Sequence, residues 1–223
     1  MADADAEQQA VRELARQLRA LGRELEREFP ERLLLGIGIG HPEATSHYAR
    51  PLETMRAFLD GLDTAPTPVP REGRCLAALG ERMLEMSAAR SLGAHTYFVP
   101  VEHTRAAREL LGEGVLIATE LACVLDTDPQ RARATAREYA ATYLRLRNYV
   151  RNLARFGFSD EDLTGSGSER LIDAIVPHGS AEEIAAAARM HLDAGADHVC
   201  LQPLGVSGIP RAQWAALAAA LFA

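Results

Sequence analysis

Lysine is absent from this 223-residue chain, so all 24 of its basic side chains are arginines, and 31 carboxylates oppose them. The formal net charge of −7 disfavours nucleic acid as a partner unless a local basic patch overrides it. The densest basic run, residues 131–155, also contains tyrosines, which a strand-binding surface would use for stacking. Helical spacing spreads these arginines around the axis, however, and acidic segments flank the run. We therefore expect a solvated helix there and no nucleic-acid partner.

Long hydrophobic runs and paired cysteines are also missing. No stretch reaches the roughly 18 to 20 apolar residues of a membrane span, and residues 1–13 are acidic and polar, unlike a signal peptide. We expect no membrane partner and a cytoplasmic location. Cys75, Cys123 and Cys200 are odd in number, lack CxxC spacing and lie in apolar runs, which predicts three buried thiols and neither disulfides nor zinc.

Hydrophobic residues make up 48% of the sequence, enough for the core of one ordinary domain. Helical and strand-like patterns alternate along the chain. Helices are predicted over residues 6–28, 51–62, 81–90, 104–111, 129–157, 180–195 and 210–222, with a loop and a short helix over 157–179. Strands are predicted near Leu33, at 75–80, 96–100 and 115–125, and from His198. Thr127 and Asp128, followed by Pro129, predict the N-cap of one helix, and Ser180 to Glu183 predict a capping box for another.

Apolar strands that alternate with helices are typical of a parallel sheet covered on both faces. Two α/β architectures satisfy this pattern, an open doubly wound sheet and a (β/α) barrel. Hydrophobic periodicity does not distinguish them, so both remain open on the residues alone.

Three segments carry a resemblance to a known family: AALGERMLEMSAARSLGAHTYFVPVEHTRAARELLG, VLDTDPQRARATAREYAATYLRLRNYVRNLARFGFSDEDL and HLDAGADHVCLQPLG. They follow LLLGIGIGH and RPLETMRAFLDGL, and in this order they resemble the bacterial luciferase-like class, within it the oxidoreductases that use coenzyme F420. The resemblance covers most of the chain. It implies a single domain over 1–223 with a (β/α)8 TIM-barrel fold, in which the cofactor lies across the carboxyl ends of the strands.

The chain departs from the family pattern at its front. The resemblance implies three further strands ahead of the first helix, and residues 1–30 do not supply them. We expect an N-terminally truncated barrel of about five parallel strands, explained by a gene model begun too late, a deletion rescued by dimerisation, or a rearranged open sheet. Exposed strand edges favour pairing with another chain, so a homodimer is expected. The leucine stripe Leu14, Leu18, Leu21 and Leu25 fits either a dimer seam or packing on the sheet.

By the resemblance, two glycine-containing turns are the candidate cofactor-binding residues. Gly38 and Gly40 lie in the first turn, and Ala78, Leu79 and Gly80 lie in the second. Backbone N–H groups in such turns, leading into helix N-termini, suit the anionic tail of coenzyme F420. The alternative is structural, because GxGxGH lacks the spacing of a dinucleotide-binding fingerprint and Gly80 fits a simple turn.

His41 is the candidate catalytic residue, because it follows the first strand on the expected catalytic face. His41 and His47 lack helical spacing and a carboxylate partner, so no metal is expected. His95 and Tyr97 flank the predicted start of the third strand, where the strand direction favours the foot of the barrel for His95. His178 and Ser180 lack an acidic partner, which argues against a hydrolase.

The function that the resemblance implies is hydride transfer between coenzyme F420 and a small organic substrate. Two alternatives remain: a catalytically inactive cofactor-binding or assembly protein, and an FMN-dependent luciferase-like monooxygenase. The residues do not choose between deazaflavin and flavin, because the contacts to the cofactor ring would lie mainly on the strands that the chain does not supply.

Overall fold

The structure is a computed structural model that describes residues 24–25, 27–29, 32–41, 43, 50–66 and 68–223. Residues 24, 25, 27 and 28 are helical, and the rest of the predicted helix over 6–28 lies outside the described residues. The leucines Leu14, Leu18 and Leu21 lie outside them as well, as does His47. The proposed leucine seam therefore stays a prediction.

Five parallel strands form one sheet, and their spatial order follows their order along the chain. They are β1 Leu35–Ile37, β2 Arg74–Ala77, β3 Gly93–Thr96, β4 Leu116–Cys123 and β5 His198–Pro203. Right-handed crossovers between neighbouring parallel strands place all the connecting helices on one face of such a sheet. A doubly wound sheet reverses its strand order and carries helices on both faces. The sheet is therefore a curled half of a (β/α)8 barrel, which confirms the predicted fold class and excludes the doubly wound alternative.

The helices of the described residues connect these strands. They are α1 Pro51–Asp63, α2 Glu81–Arg90, α3 Val101–Leu111, α4 Pro129–Tyr143, α5 Arg147–Arg155, α6 Glu169–Ile175, α7 Ala181–Asp193 and α8 Arg211–Leu221, with a short 3₁₀ turn at Arg71–Gly73. None of the helices in the described part of the chain is long and apolar enough to cross a membrane.

The outer helices bury the face of the sheet that they cover. Met55 and Leu59 of α1 are fully buried against Ile37 of β1 and Leu76 of β2. The same face continues in two smaller clusters, formed by Ala94, Ala107 and Ile117 and by Cys123, Ile184 and Leu217. Burial of apolar side chains at this helix–sheet interface holds the strands in their curved arrangement.

A second hydrophobic core lies where β3 and β4 end. Here α4, α5 and α6 pack on one another and on the residues that follow the two strands. Its fully buried or nearly buried members include Phe98, Ala122, Ala136, Tyr149, Leu153, Leu171 and Ile172. This core closes one side of the barrel mouth.

The third strand begins and ends earlier than predicted. The apolar run over 96–100 leaves the sheet after Thr96, because Phe98 has a left-handed backbone (φ 52°) and Pro100 is the N-cap of α3. The strand begins at Gly93, where an added Cβ would lie 1.9 Å from the carbonyl oxygen of Leu116. Only glycine permits this close approach of β3 to β4, so a small-residue segment, GAHT, forms the strand.

The single helix predicted over 129–157 is two helices, α4 and α5, joined by a turn at residues 144–146. The buried residues before the turn repeat at four-residue steps: Ala132, Ala136, Ala140 and Leu144. Tyr149, the next buried residue of the core, comes five residues after Leu144. A continuous helix would rotate Tyr149 away from the core, so the turn restores the phase of the buried face.

Both predicted helix caps are present. Asp128 accepts hydrogen bonds from the backbone N–H groups of Gln130 and Arg131 at the start of α4. Ser180 and Glu183 form a reciprocal capping box at the start of α7. Ser180 therefore acts as a helix cap, as predicted. The expectation that His178 lacks an acidic partner is wrong, because its Nε2 lies 3.6 Å from Oδ1 of Asp173 on α6.

The cysteine prediction is right for two residues and wrong for the third. Cys75 and Cys123 are buried, but Cys200 is only half-buried. Cys200 lies on β5, the last strand of the described sheet, so no further strand covers it on that side. All three cysteines are free thiols.

Candidate functional site

Side chains along each strand alternate between the helix-covered outer face and the concave inner face of the half-barrel. On β4, Ile117 and Cys123 lie in the outer hydrophobic clusters, so Ala118, Glu120 and Ala122 belong to the inner face. Strand register places Gln202 of β5 beside Ala122. Active sites of (β/α)8 barrels are built where this inner face reaches the carboxyl ends of the strands.

The turns after β1 and β2, predicted to hold the cofactor, lie side by side. Ile37 is in register with Leu76, and a Cβ added to the next residue, Gly38, would contact the Cβ of Ala77 at 3.5 Å. Gly40 has a φ of +71°, a conformation that favours glycine, and has open space around it. Gly38, Gly40 and Ala77 are all exposed. The two predicted turns therefore share one edge of the sheet.

The second turn is fixed by hydrogen bonds on both sides. The N–H of Ala78 donates to the carbonyl oxygen of His95, which extends the pairing of β2 with β3. The carbonyl oxygen of Leu79 lies 2.9 Å from Nε2 of His103 on α3, so this nitrogen carries a proton. His103 is buried, and desolvation lowers its pKa, which favours the neutral ring. These contacts hold the turn in place immediately before α2.

Helix α2 begins at Gly80 without a side-chain cap. The carbonyl oxygen of Gly80 accepts hydrogen bonds from Met83 and Leu84, whereas the N–H groups of Glu81 and Arg82 have no partner among the described residues. A Cβ added to Gly80 would meet nothing within 4 Å, so the space in front of these N–H groups is open. An open, uncapped helix N-terminus is suited to bind an anion.

One acidic side chain lies next to this helix N-terminus. Glu81, in the first turn of α2, forms an ion pair with Arg155 at the end of α5. Both side chains are exposed, which limits the energy of the pair but keeps the local charge near neutral. The ion pair also links α5 to the edge of the sheet that carries the two glycine turns.

His41, the candidate catalytic residue, is half-buried directly after the first glycine turn. Its ring lies 5.5 Å from the ring of Tyr149, which belongs to α5. Two residues further along, Glu43 accepts a hydrogen bond from the backbone N–H of Arg147 at the start of the same helix. The segment after β1 is thus held against α5.

His95 lies in the second half of β3, so its predicted place at the foot of the barrel is wrong. The error follows from the shifted strand, because the strand that was expected to start near Thr96 ends there. Nδ1 of His95 lies 3.0 Å from the carbonyl oxygen of Ala118, and burial lowers the pKa of the ring. Tyr97 comes directly after the carboxyl end of β3 and belongs to the mouth of the half-barrel.

Glu120 is an acidic residue of the inner face that the sequence analysis did not identify. It lies in the middle of β4 and is 5% exposed. Burial raises its pKa to about 7, although hydrogen bonds from the backbone N–H of Phe98 and from the hydroxyl of Tyr139 partly oppose this rise. The sequence contained one signal for Glu120: it is the only charged residue in the otherwise apolar run over 115–125.

Tyrosines surround this acid at the carboxyl ends of β3 and β4. The hydroxyl of Tyr139 lies 3.3 Å from Oε1 of Glu120, and the phenols of Tyr139 and Tyr97 lie close enough that each changes the pKa of the other. Tyr97 in turn donates to Oε1 of Gln202 at 2.6 Å. Burial raises the pKa of Tyr97 and Tyr139 above the ordinary value, so both phenols are protonated. A continuous row of polar groups therefore runs from β4 to β5.

The described residues hold no group of three or more histidine, cysteine or acidic side chains that could bind a metal ion.

Phe98 packs among the tyrosines that surround Glu120. Its backbone is left-handed, its N–H lowers the pKa of Glu120, and its ring stacks on Tyr143 with centroids 4.9 Å apart. Sparsely populated backbone conformations of this kind cluster at functional sites.

No family model matches the sequence, and a search of curated proteins finds no match. Solved structures do match. An F420-dependent secondary alcohol dehydrogenase in complex with an F420–acetone adduct has a TM-score of 0.57 at 13% identity, over 80% of this chain and 66% of that one. Apo-MsnO8 has a TM-score of 0.56 at 19% identity, over 92% of this chain and 73% of that one.

A third match is the coenzyme F420-dependent tetrahydromethanopterin reductase from Methanopyrus kandleri, with a TM-score of 0.54 at 14% identity over 81% of this chain and 70% of that one. Identities this low show the fold alone. The class that the fold defines is the luciferase-like (β/α)8 barrel, which confirms the resemblance at the level of fold. This chain spans just under two thirds of the alcohol dehydrogenase.

Proposed function

We propose that this chain binds coenzyme F420 at the carboxyl edge of the half-barrel and supports hydride transfer between the cofactor and a small organic substrate. The observation that carries the proposal is the uncapped N-terminus of α2 at Gly80, beside Gly38 and Gly40. Two of the matched structures are named as F420-dependent enzymes, which supports the choice of cofactor.

The residues around Gly80 fit the anionic tail of the cofactor. The free N–H groups of Glu81 and Arg82 point out of a helix N-terminus, and the absence of a Cβ on Gly80 lets a phosphate approach them closely. The carboxylate of Glu81 would repel an anion, but its ion pair with Arg155 offsets this repulsion.

A second positively charged feature lies at the start of α5. A shallow cavity of about 220 Å³ is lined by Leu144, Arg145, Arg147, Val150 and Arg151. None of these three arginines forms an ion pair with any residue that the structure describes. The cavity borders the helix that contacts His41, so an acidic extension of the cofactor tail could reach it.

The inner face of β1 and β2 fits a flat ring. Gly36, Gly38 and Ala77 are exposed there and offer a surface without long side chains. Bound F420 supplies the hydride chemistry, as cofactors do in general. The protein supplies position: His41, held against Tyr149, would contact the edge of the bound ring or the substrate and orient it.

The proposal also concerns the two edges of the sheet, where a complete barrel would have further strands. Among the described residues, β1 and β5 each have one unpaired edge. Unpaired edges attract further strands, and we expect a homodimer to cover them. Sedimentation at several protein concentrations tests this expectation, and a monomer at all concentrations would contradict it.

Titration of the whole protein with oxidised F420, followed by the fluorescence of the cofactor, tests the proposed function. Saturable binding in the micromolar range supports it, and no binding overturns it. The same titration with FMN distinguishes a deazaflavin site from a flavin site. Turnover is then tested with reduced F420 and a panel of ketones, imines and enones.

Gly80→Asp makes this test more specific, because it should raise the stability of the fold and lower the affinity for F420. An aspartate N-cap satisfies the free N–H groups of α2 and stabilises the fold by about 0.3 kcal/mol relative to glycine. The same carboxylate occupies the anion site, so the affinity for F420 should fall about tenfold. Ala186→Asp adds the same charge to the exposed face of α7 and is the matched control. Unchanged affinity in Gly80→Asp would show that the tail binds elsewhere.

A further inference from the structure

The row of polar groups from Glu120 to Gln202 has one closed and one open end. Glu120 is buried on β4, whereas Tyr97 and Gln202 are half-buried at the mouth. Oε1 of Gln202 accepts a hydrogen bond from Tyr97, whereas its amide nitrogen has no hydrogen-bond partner among the described residues. A ligand at the mouth can therefore contact the end of the row but not Glu120 itself.

The hydrogen-bond directions in the row depend on where its proton lies. With Glu120 protonated, its hydroxyl donates to Tyr139, Tyr139 donates to Tyr97 and Tyr97 donates to Gln202, so every hydroxyl is satisfied in one direction. With Glu120 ionised, Tyr139 donates back to its carboxylate. Both arrangements use the same heavy-atom positions. The two arrangements differ by one proton and by the rotation of the hydroxyl groups.

From this geometry we infer that Glu120, Tyr139 and Tyr97 form a proton relay that delivers a proton to a carbonyl or imine group of a substrate bound beside Gln202. The inference rests on the proposed function, because it assumes a hydride donor in the same site. Glu120 is a positioning and proton-storing residue in this scheme, and Tyr97 is the group that contacts the substrate.

The step balances with a reduced deazaflavin as the reductant. The substrate carbon receives the hydride with its two electrons, and the π-electron pair of the C=O or C=N bond moves to the oxygen or nitrogen. That atom takes the proton of Tyr97, which regains one from Tyr139, and Tyr139 regains one from Glu120. The substrate is reduced, the deazaflavin is oxidised, and Glu120 is left as a carboxylate that water reprotonates.

The surroundings of Glu120 favour a stored proton. The titratable groups that face it are Tyr139 from α4, Tyr97 from the end of β3, Tyr149 from α5 and Cys200 from β5, and its charge also acts on Cys123 on the outer face of its own strand. All of these are neutral when protonated, and Glu120 forms no ion pair with any described residue. Without a nearby cation, the burial of the carboxyl group decides its protonation.

The first test needs no cofactor. Infrared difference spectra of the protein, recorded during a pH titration, should show the C=O band of a protonated carboxyl group that disappears with a midpoint near pH 7. The band should be absent in Glu120→Gln and shifted in Tyr139→Phe. The matched control, Glu138→Gln, removes an exposed acid from the same helix and should leave the band unchanged. A band that persists in Glu120→Gln, or no band, overturns the inference.

The second test uses reduced F420 and the best substrate of the panel. Glu120→Gln and Tyr97→Phe should lower kcat about 100-fold with little change in KM, and the fall of kcat above neutral pH should vanish in Glu120→Gln. F420 affinity should stay at the wild-type value in both variants. If F420 binds and Glu120→Gln keeps the wild-type pH profile, the relay is wrong and the proposed function stands. If the wild-type protein binds neither F420 nor FMN, both fall.

Discussion

The concave face of the half-barrel has two unlike halves. The half formed by β1 and β2 carries Gly36, Gly38 and Ala77, is exposed, and has no titratable side chain of its own beside Cys75. The half formed by β3, β4 and β5 carries Glu120, His95 and Gln202 and is covered by the aromatic core of α4 and α5. The first half suits a flat, anionic ligand, and the second suits proton transfer.

The two halves show that an open binding surface and a reactive carboxyl group need opposite kinds of side chain, small in the first case and bulky in the second. Small residues keep the first half free of side chains, so that a ligand meets backbone N–H groups. The second half needs bulky rings around Glu120, because only burial keeps a carboxyl group protonated near neutral pH. The seam between them is the pairing of β2 with β3, where Ala77 lies beside His95.

The largest expected effect on stability comes from replacing one inner-face glycine of each half with alanine. Gly93→Ala places a Cβ 1.9 Å from the carbonyl oxygen of Leu116, which forces β3 and β4 apart. We expect a loss of more than about 4 kcal/mol in the free energy of unfolding. Gly36→Ala meets nothing within 4 Å and should stabilise the protein by about 0.5 kcal/mol. Urea unfolding of both variants measures the difference.

Similar free energies of unfolding for the two glycine variants would contradict the difference between the halves. Equal stabilities would mean that β3 can move away from β4 at little cost. The relay would then lack a rigid support. A large loss in Gly36→Ala would mean that the inner face of β1 is covered by another part of the chain.

The next largest effect is the pH dependence that Glu120 gives to stability. Its folded pKa of about 7 lies above the ordinary value of 4.5, so between these values the folded protein holds a proton that the unfolded chain has lost. Stability therefore falls as the pH rises through this interval. Glu120→Gln removes the effect and should be more stable than the wild type above pH 7 by an amount on the order of 3 kcal/mol.

Unfolding of both proteins at a series of pH values from 5 to about 8 tests this prediction, since a buried acid gives a slope that the variant lacks. Glu138→Gln, on the exposed side of α4, should follow the wild type at every pH. His95 and His103, whose pKa values burial lowers, titrate in both proteins and raise stability with pH, so the difference between the two curves is the readout. A difference that stays constant over this interval would contradict the raised pKa of Glu120.

The turns of the first half could be located from the sequence, whereas Glu120 could not be singled out. Gly38, Gly40 and Gly80 follow apolar strands, and a helix that starts at residue 81 follows from its own periodicity. Their role as cofactor contacts came from the family resemblance and stays a prediction. Glu120, by contrast, is a single charged residue in an apolar run. Its significance depends on Tyr97 and Tyr139, which come from other elements of the chain.

The sequence errors share one physical cause. The apolar run over 96–100 resembles a strand by composition, but the left-handed backbone at Phe98 and the contact at Gly93 are properties of packing between β3 and β4. Likewise, the turn between α4 and α5 exists because Tyr149 must face the same core as the residues before it. Local propensity predicts that an element exists more reliably than where it ends.

The smallest expected effect concerns the charge at the uncapped end of α2. Glu81→Gln removes a carboxylate from the first turn, which costs about 0.5 kcal/mol of helix–dipole stabilisation. The unpartnered N–H groups at this helix end then have no carboxylate beside them, so the affinity for inorganic pyrophosphate should rise about threefold. Glu182→Gln makes the same change at α7, whose N-terminus the capping box of Ser180 already fills, and should leave pyrophosphate binding unchanged. Calorimetric titration of the three proteins decides whether the open helix end of the first half is the anion site: equal responses in Glu81→Gln and Glu182→Gln would place the anion elsewhere.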